Sequence, residues 1–278
     1  MGKIKVGLQL YSVRDEMEKD MDSTLARVKT MGYDYVEFAG YFGKTAEEVK
    51  ALLDKNGLEC VSVHQGYDIF ISDKESSVEY LKTIGAKYCA VPWMDKEKHK
   101  GDDEIFNKTI SELKETSAAL KQGNIQLLYH NHEFEFEKYE NKFLLDWLYE
   151  ALSEDELKTE IDTCWVCYAG QNPAEYIRKY TGRSPVVHLK DFTCKQFASG
   201  PVYALIDSEG KETKIPDKEE SNFMFKPLGK GVQDFKAILA ACYDAGAEYV
   251  IVEQDQHPEG TPMENVKTSR DFLKTLGI

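Results

Sequence analysis

Two periods alternate along the chain. Short apolar runs that favour extended backbone occur at 5–10, 35–38, 60–64, 88–91, 126–136, 158–162, 185–190 and 249–253. Between them apolar residues recur every three or four positions, which predicts helices over 21–31, 45–56, 76–84, 102–122, 142–152, 173–180, 233–245 and 263–276. Several helices carry their own punctuation. Gly32, Gly57, Gly85, Gly123 and Gly246 follow predicted ends, Thr45 precedes a first turn rich in acidic residues, and Pro173 opens another helix. The strand-helix unit repeats eight times without a Pro/Gly/Ser-rich linker, so the expected fold is an α/β single domain over residues 1–278, a closed (β/α)8 TIM barrel. The irregular stretch after the seventh strand predicts a rim insertion at about 192–225, with a hairpin around Ser208, Glu209 and Gly210 flanked by Tyr203 and Phe223. It is expected to form part of the rim wall or a dimer contact. A doubly wound nucleotide-binding sheet is the competing fold, but neither G-x-G-x-x-G after the first strand nor G-x-x-x-x-G-K-[ST] occurs.

The polar residues interrupt this pattern at one kind of place. The run QLLYHNHEFEF, 126–136, reads as a buried strand on which His130 and His132 share a face. Other apolar runs end in Glu37, His64, Asp162, His188 with Lys190, and Glu253. In a barrel all these carboxyl ends meet at one rim, where active sites of this architecture are built. Burying so many polar groups is costly unless they are paired or bind metal. Carboxylates beside neutral imidazoles are ligands for one divalent metal ion such as Mn²⁺, Mg²⁺, Co²⁺ or Zn²⁺.

Composition narrows the partners. With 42% hydrophobic and 30% charged residues in 278, the chain has ample core for a globular protein. No apolar run approaches the roughly 20 residues of a membrane span, and the first residues lead straight into a strand, so a cytoplasmic location without membrane contact is expected. A net charge of −14 repels phosphate backbones and argues against nucleic acid as a partner. The six cysteines are scattered, several in apolar runs, and are expected to be reduced and packed, the Cys164/Cys167 pair included.

Taken in order, L-Y-H-N-H-E-F-E-F, I-D-T-C-W, V-V-H-L-K-D, P-L-G-K-G and V-I-V-E-Q-D resemble the sugar phosphate isomerase/epimerase family, the xylose isomerase-like barrels that include inosose dehydratases and ketose 3-epimerases. The resemblance spans the whole chain. It implies Asp162, His188 and Glu253 as metal ligands, with His130 or Glu135 as the fourth and His130 preferred. It further implies His132 and Lys190 for proton transfer and carbonyl polarisation, while Glu37 and His64 are further catalytic candidates from their strand ends. Epimerase relatives often carry a histidine three residues after the sixth-strand aspartate, and Trp165 stands there in this chain. The expected function is a metal-dependent isomerase or epimerase of a sugar, cyclitol or keto-sugar, working by proton abstraction beside a chelated carbonyl. The alternatives are a dehydratase or lyase of inosose or keto-sugar type and a non-catalytic sugar-binding barrel. The expected partner is a small sugar or sugar derivative, and a homo-oligomer is compatible with the insertion.

Overall fold

In the computed structural model, which describes residues 3–101, 103–195 and 222–278, parallel strands wrap around a shared axis. They are β1 (Lys5–Gln9), β2 (Tyr35–Phe38), β3 (Glu59–Val63), β4 (Tyr88–Val91), β5 (Gln126–His130), β6 (Lys158–Asp162), β7 (Val186–Leu189) and β8 (Tyr249–Val252). Their order in the sheet is β3-β2-β1-β8-β7-β6-β5-β4. A bridge between His64 and Ala90, with Gln65 N donating to Ala90 O at 3.0 Å, draws β3 and β4 together and nearly closes the barrel. The expected TIM barrel is thus the fold, in a single α/β domain.

Helices α1 to α8 follow the strands in the expected alternation: Met21–Met31, Ala46–Asn56, Lys74–Ile84, Glu104–Gln122, Leu144–Ala151, Pro173–Lys179, Phe235–Ala245 and Pro262–Thr275. Local chemistry sets their ends. Thr45 and Thr261 each form a capping box, with Glu48 and Glu264 returning the bond, and Gly32 stops α1 at φ 96°. Short helices at Arg14–Lys19, Tyr67–Ser72 and Thr163–Tyr168 were not signalled by the periodicity, because six residues show too little of a 3.6 period.

Strand parity builds two cores. One face of each strand, with Leu8, Val36, Leu127, Ile161, Val187 and Val250, packs under the helices. The other face points into the barrel, where Val61, Tyr88, Leu128, Val186, Tyr249 and Ile251 fill the amino-terminal half. The same inward positions turn polar toward the carboxyl ends, from Tyr35 to Glu37, Leu128 to His130, Val186 to His188 and Ile251 to Glu253. The apolar plug thus forms a floor for a polar chamber.

Two expectations change. The strand at 126–136 stops at His130, and a short 3-10 turn, Phe134–Phe136, follows, so His132 lies in the connection and not on the strand. The insertion is described only at its roots, where Asp191–Thr193 pairs antiparallel with Met224–Lys226. The hairpin around Ser208 lies outside the described residues.

A buried carboxylate ties α5 to α6. Asp146 accepts from Tyr176 Oη at 2.7 Å, Tyr180 Oη at 2.6 Å and Lys179 Nζ at 2.6 Å. Burial alone would raise its pKa, but these donors together hold it below the ordinary carboxylate value. A depressed folded pKa gives stability that is present above the unfolded value and lost as pH falls through the folded one. Asp146→Asn is therefore expected to destabilise the protein at pH 7 by about 1–3 kcal/mol. Denaturant midpoints of both proteins should converge as the pH is lowered toward the folded pKa, and an equal gap at every pH would count against the ion pair.

Candidate metal centre at the barrel rim

Inward parity brings the carboxyl ends of β5 to β8 onto one point. Ligand-capable atoms of His130, Asp162, His188 and Glu253, all buried, lie within 4.8 Å of one another. His188 Nδ1 is 2.9 Å from Glu253 Oε2, and His130 Nε2 is 3.6 Å from Asp162 Oδ2. Asp162 divides its labour. Its Oδ1 caps the helix Thr163–Tyr168 by accepting from Cys164 N at 2.8 Å and Trp165 N at 3.2 Å, which leaves Oδ2 for the chamber. Asn131, on the opposite face of β5, fixes the register by accepting from Asp162 N at 3.0 Å.

Lys190 reaches the same point and is 1% exposed. Its ammonium lies 3.1 Å from Asp162 Oδ2, 2.9 Å from Glu253 Oε2 and 3.1 Å from Asp255 Oδ1. Asp255 is a member of the site that strand-end reasoning missed, since it stands past the strand in the quoted V-I-V-E-Q-D. Burial pushes its carboxyl up to about 6, with Lys190 opposing the rise. The connection that carries it is clipped to the chain after β1: Gln254 N donates to Ser12 Oγ at 3.0 Å, and Arg14 donates to the Asp255 carbonyl at 2.9 Å.

Beneath this layer lies a second one. Glu37 and Glu160 are both fully buried and share a set of imidazoles. His64 Nε2 is 2.6 Å from Glu160 Oε1 and 3.0 Å from Glu37 Oε1, and His188 Nε2 is 2.8 Å from Glu37 Oε1. His130 Nδ1 is 3.2 Å from Glu160 Oε1, and Gln9 Nε2 donates to Glu37 Oε1 at 2.6 Å. Glu160 was not singled out from the sequence, although it precedes Asp162 by two residues and is charged within an otherwise buried strand. Parity alone could have found it.

Protonation follows from these neighbours. Burial would lower His64 and His188, but the Glu37 and Glu160 carboxylates outweigh it, raising His64 to about 10 and His188 well above the usual value. Burial also opposes ionisation of Glu37, yet the His64 and His188 charges hold its carboxyl well below the ordinary range. His130 is pushed down by burial and by the neighbouring His188 cation, and is a neutral imidazole with a lone pair to give. Burial and then Lys190 lower His132 to about 3.

The remaining candidates are placed as follows. His132 stands 5.3 Å, ring to ring, from His130 and stacks on Trp165 at 5.6 Å. Glu135 is turned away from the cluster: it accepts from Tyr129 Oη at 2.6 Å and from His132 N at 2.8 Å, and so holds the connection instead. Trp165 is part of an aromatic wall with Tyr168, Phe192, Phe223 and Phe225 beside Lys190, whose ammonium is 5.2 Å from the Trp165 ring. Asp191, on the opposite parity from Lys190, faces away from the chamber. It accepts from the backbone N–H groups of Phe192, Gly229, Gly231 and Gln233, and a Cβ on Gly231 would sit 2.2 Å from Asp191 Oδ1. The P-L-G-K-G motif is thus a loop wrapped on a carboxylate. All cysteines are free, and Cys164 is buried. Among the described residues no helix is long and apolar enough to cross a membrane.

Two imidazoles and two carboxylates converging in a buried, net acidic chamber fit the donor set of a divalent ion. The chain is 24% identical to an inosose dehydratase of Geobacillus kaustophilus, covering 92% of this chain and 87% of that one. It superposes on a sugar phosphate isomerase/epimerase from Parabacteroides distasonis with a TM-score of 0.75 at 21% identity, covering 98% of each chain. The IolI protein, solved with a bound zinc atom, matches at a TM-score of 0.68 and 15% identity, again over 98% of each. The family model for xylose isomerase-like TIM barrels matches residues 25–276, and with that span and this rim the chain belongs to the xylose isomerase-like TIM barrel family.

Proposed function

We propose that the protein is a divalent-metal-dependent enzyme that removes the proton next to the carbonyl of a cyclitol or keto-sugar, and that the outcome is loss of water. The observation that carries the reading is the buried quartet of His130, Asp162, His188 and Glu253 with Lys190 inside it. An ion held by that quartet would polarise a substrate carbonyl and offset the negative charge that develops when the neighbouring proton leaves. Lys190, an ammonium with three donors, stands where a departing or developing oxygen needs a proton. His132 is neutral and able to accept one. Both approach from the side of Trp165, which stacks on His132 and has the Lys190 ammonium over its ring.

That one-sidedness supports elimination over epimerisation. Epimerisation at a single carbon needs a base on one face and an acid on the other, whereas elimination of water can use groups on one face. The inosose dehydratases among the relatives agree with elimination. Aldose-ketose isomerisation, the second reading, also uses one face and rests on the same arrangement. Phosphate has no evident cradle among the described residues, so an unphosphorylated substrate is preferred.

The test is a panel of keto-inositols, keto-sugars and aldoses, assayed after chelator treatment with and without added Mn²⁺, Co²⁺ or Zn²⁺. Ion-dependent appearance of a dehydrated dicarbonyl product supports the first reading, and ion-dependent aldose-ketose exchange supports the second. Turnover that survives chelation unchanged, or ion-free protein after loading, would sink both.

A further inference from the structure

The two imidazoles of the rim quartet each have one nitrogen toward the rim and the other toward the deeper carboxylates. His130 sets Nε2 against Asp162 and Nδ1 at 3.2 Å from Glu160 Oε1. His188 sets Nδ1 against Glu253 and Nε2 at 2.8 Å from Glu37 Oε1 and 3.2 Å from Glu160 Oε1. A carboxylate offers only lone pairs, so the ring nitrogen that hydrogen-bonds one carries a proton, which is Nδ1 toward Glu160 in His130 and Nδ1 toward Glu253 in His188. His130 is the neutral ring, and fixing its one N–H on the deep nitrogen leaves the lone pair on Nε2, toward the rim.

We propose that Glu160 is a positioning residue that selects the metal-binding tautomer of His130, with the proton on Nδ1 and the lone pair on Nε2. The inference rests on the reading of the rim as a metal centre. Glu160 is the hub, because its Oε1 alone meets His64, His130 and His188. The location explains why a charged side chain is kept at an inward position of β6, fully buried, one pleat below Asp162. His64 has its place here too. Its Nε2 lies between the two carboxylates and balances charge that the rim histidines, once they give lone pairs to an ion, no longer balance. Carboxylates that hold the far N–H of a metal-bound histidine raise its basicity and lock its ring angle.

The experiment uses the full chain with ¹⁵N-labelled histidine, stripped with chelator and reloaded with Zn²⁺. Two-bond ¹H–¹⁵N spectra should show His130 protonated at Nδ1, with its Nε2 shifted by zinc. Glu160→Gln should lower Zn²⁺ affinity about 10–100-fold in chelator competition and mix the His130 tautomers, with one ion still bound at saturation. The opposite His130 tautomer in the wild type would overturn the proposal without any variant, even if Glu160→Gln does not fold. An unchanged Zn²⁺ affinity in a folded Glu160→Gln protein would overturn it as well. So would two ions per wild-type chain with one lost in Glu160→Gln, because the deep cluster would then itself be an ion site. A wild type that binds no Zn²⁺ sinks the metal-centre reading first, and that measurement precedes the variants.

Discussion

Asp162→Asn is expected to leave a folded barrel that no longer retains a divalent ion and has no detectable turnover. The choice of Asn follows from the two duties of the native carboxylate. Oδ1 caps the helix Thr163–Tyr168, and an Asn oxygen caps as well as Asp does, whereas Asp162→Ala would add roughly 1 kcal/mol of lost capping to any loss of metal. What Asn removes is the anionic Oδ2, which faces His130 and Lys190 in the chamber. Outer partners of a metal site are typically worth about 10–100-fold in affinity, and the loss of a direct charged ligand should exceed that. The effect can be read without substrate. An ion at about one hundred times its dissociation constant stabilises the native state by about 2.7 kcal/mol, so the wild type should gain melting temperature with added Mn²⁺ and Asp162→Asn should gain none. Metal content after dialysis gives the same answer directly. A variant that keeps the wild-type ion and melting shift would remove Asp162 from the centre.

How much of this was legible in the sequence depends on the period that carried it. A strand reads every second residue, so with Val187 and Leu189 packed under the helices His188 and Lys190 fall on the inward side, as Glu253 does beside Val250 and Val252. The barrel followed from eight strand-helix repeats. Glu160 obeys the same parity and was passed over, because attention to strand ends ignores what lies one pleat below them. Asp255 lies outside any strand, so no periodicity could aim it at Lys190; that is done by the clip between Gln254 and Ser12, a contact between residues 242 positions apart. His132 shows the opposite failure. The apolar run around it extends to Phe136, yet the strand ends at His130 because Glu135 can serve the backbone N–H of His132 only if the chain turns. Glu37 and His64 were expected as rim candidates, and the structure puts them with Glu160 under the rim. Strand termini can be counted from a sequence, but the depth of a side chain below a rim depends on strand stagger, which cannot.

Lys190→Met is the substitution expected to separate chemistry from metal binding. Methionine keeps the length and most of the volume of the buried stem while deleting the ammonium. The native ammonium lies within 3.1 Å of carboxylate oxygens of Asp162, Glu253 and Asp255, so without it three buried carboxylates lose the cation they share. Two consequences follow, with opposite signs for two measurements. The ion-free variant should be less stable than the ion-free wild type, because the buried carboxylates then repel one another without the shared ammonium, a loss of roughly 3–5 kcal/mol at most. Divalent-ion affinity should be kept or increased, since the chamber has become more negative by one charge. Added Mn²⁺ should therefore restore much of the lost melting temperature. Turnover should not return with it. If Lys190 delivers or receives the proton, kcat should fall about 100- to 10,000-fold in the metal-loaded variant, the range for a missing acid-base group. A metal-loaded Lys190→Met protein with wild-type turnover on the true substrate would show that the ammonium only balances the carboxylates, and the proton would then have to be assigned to His132.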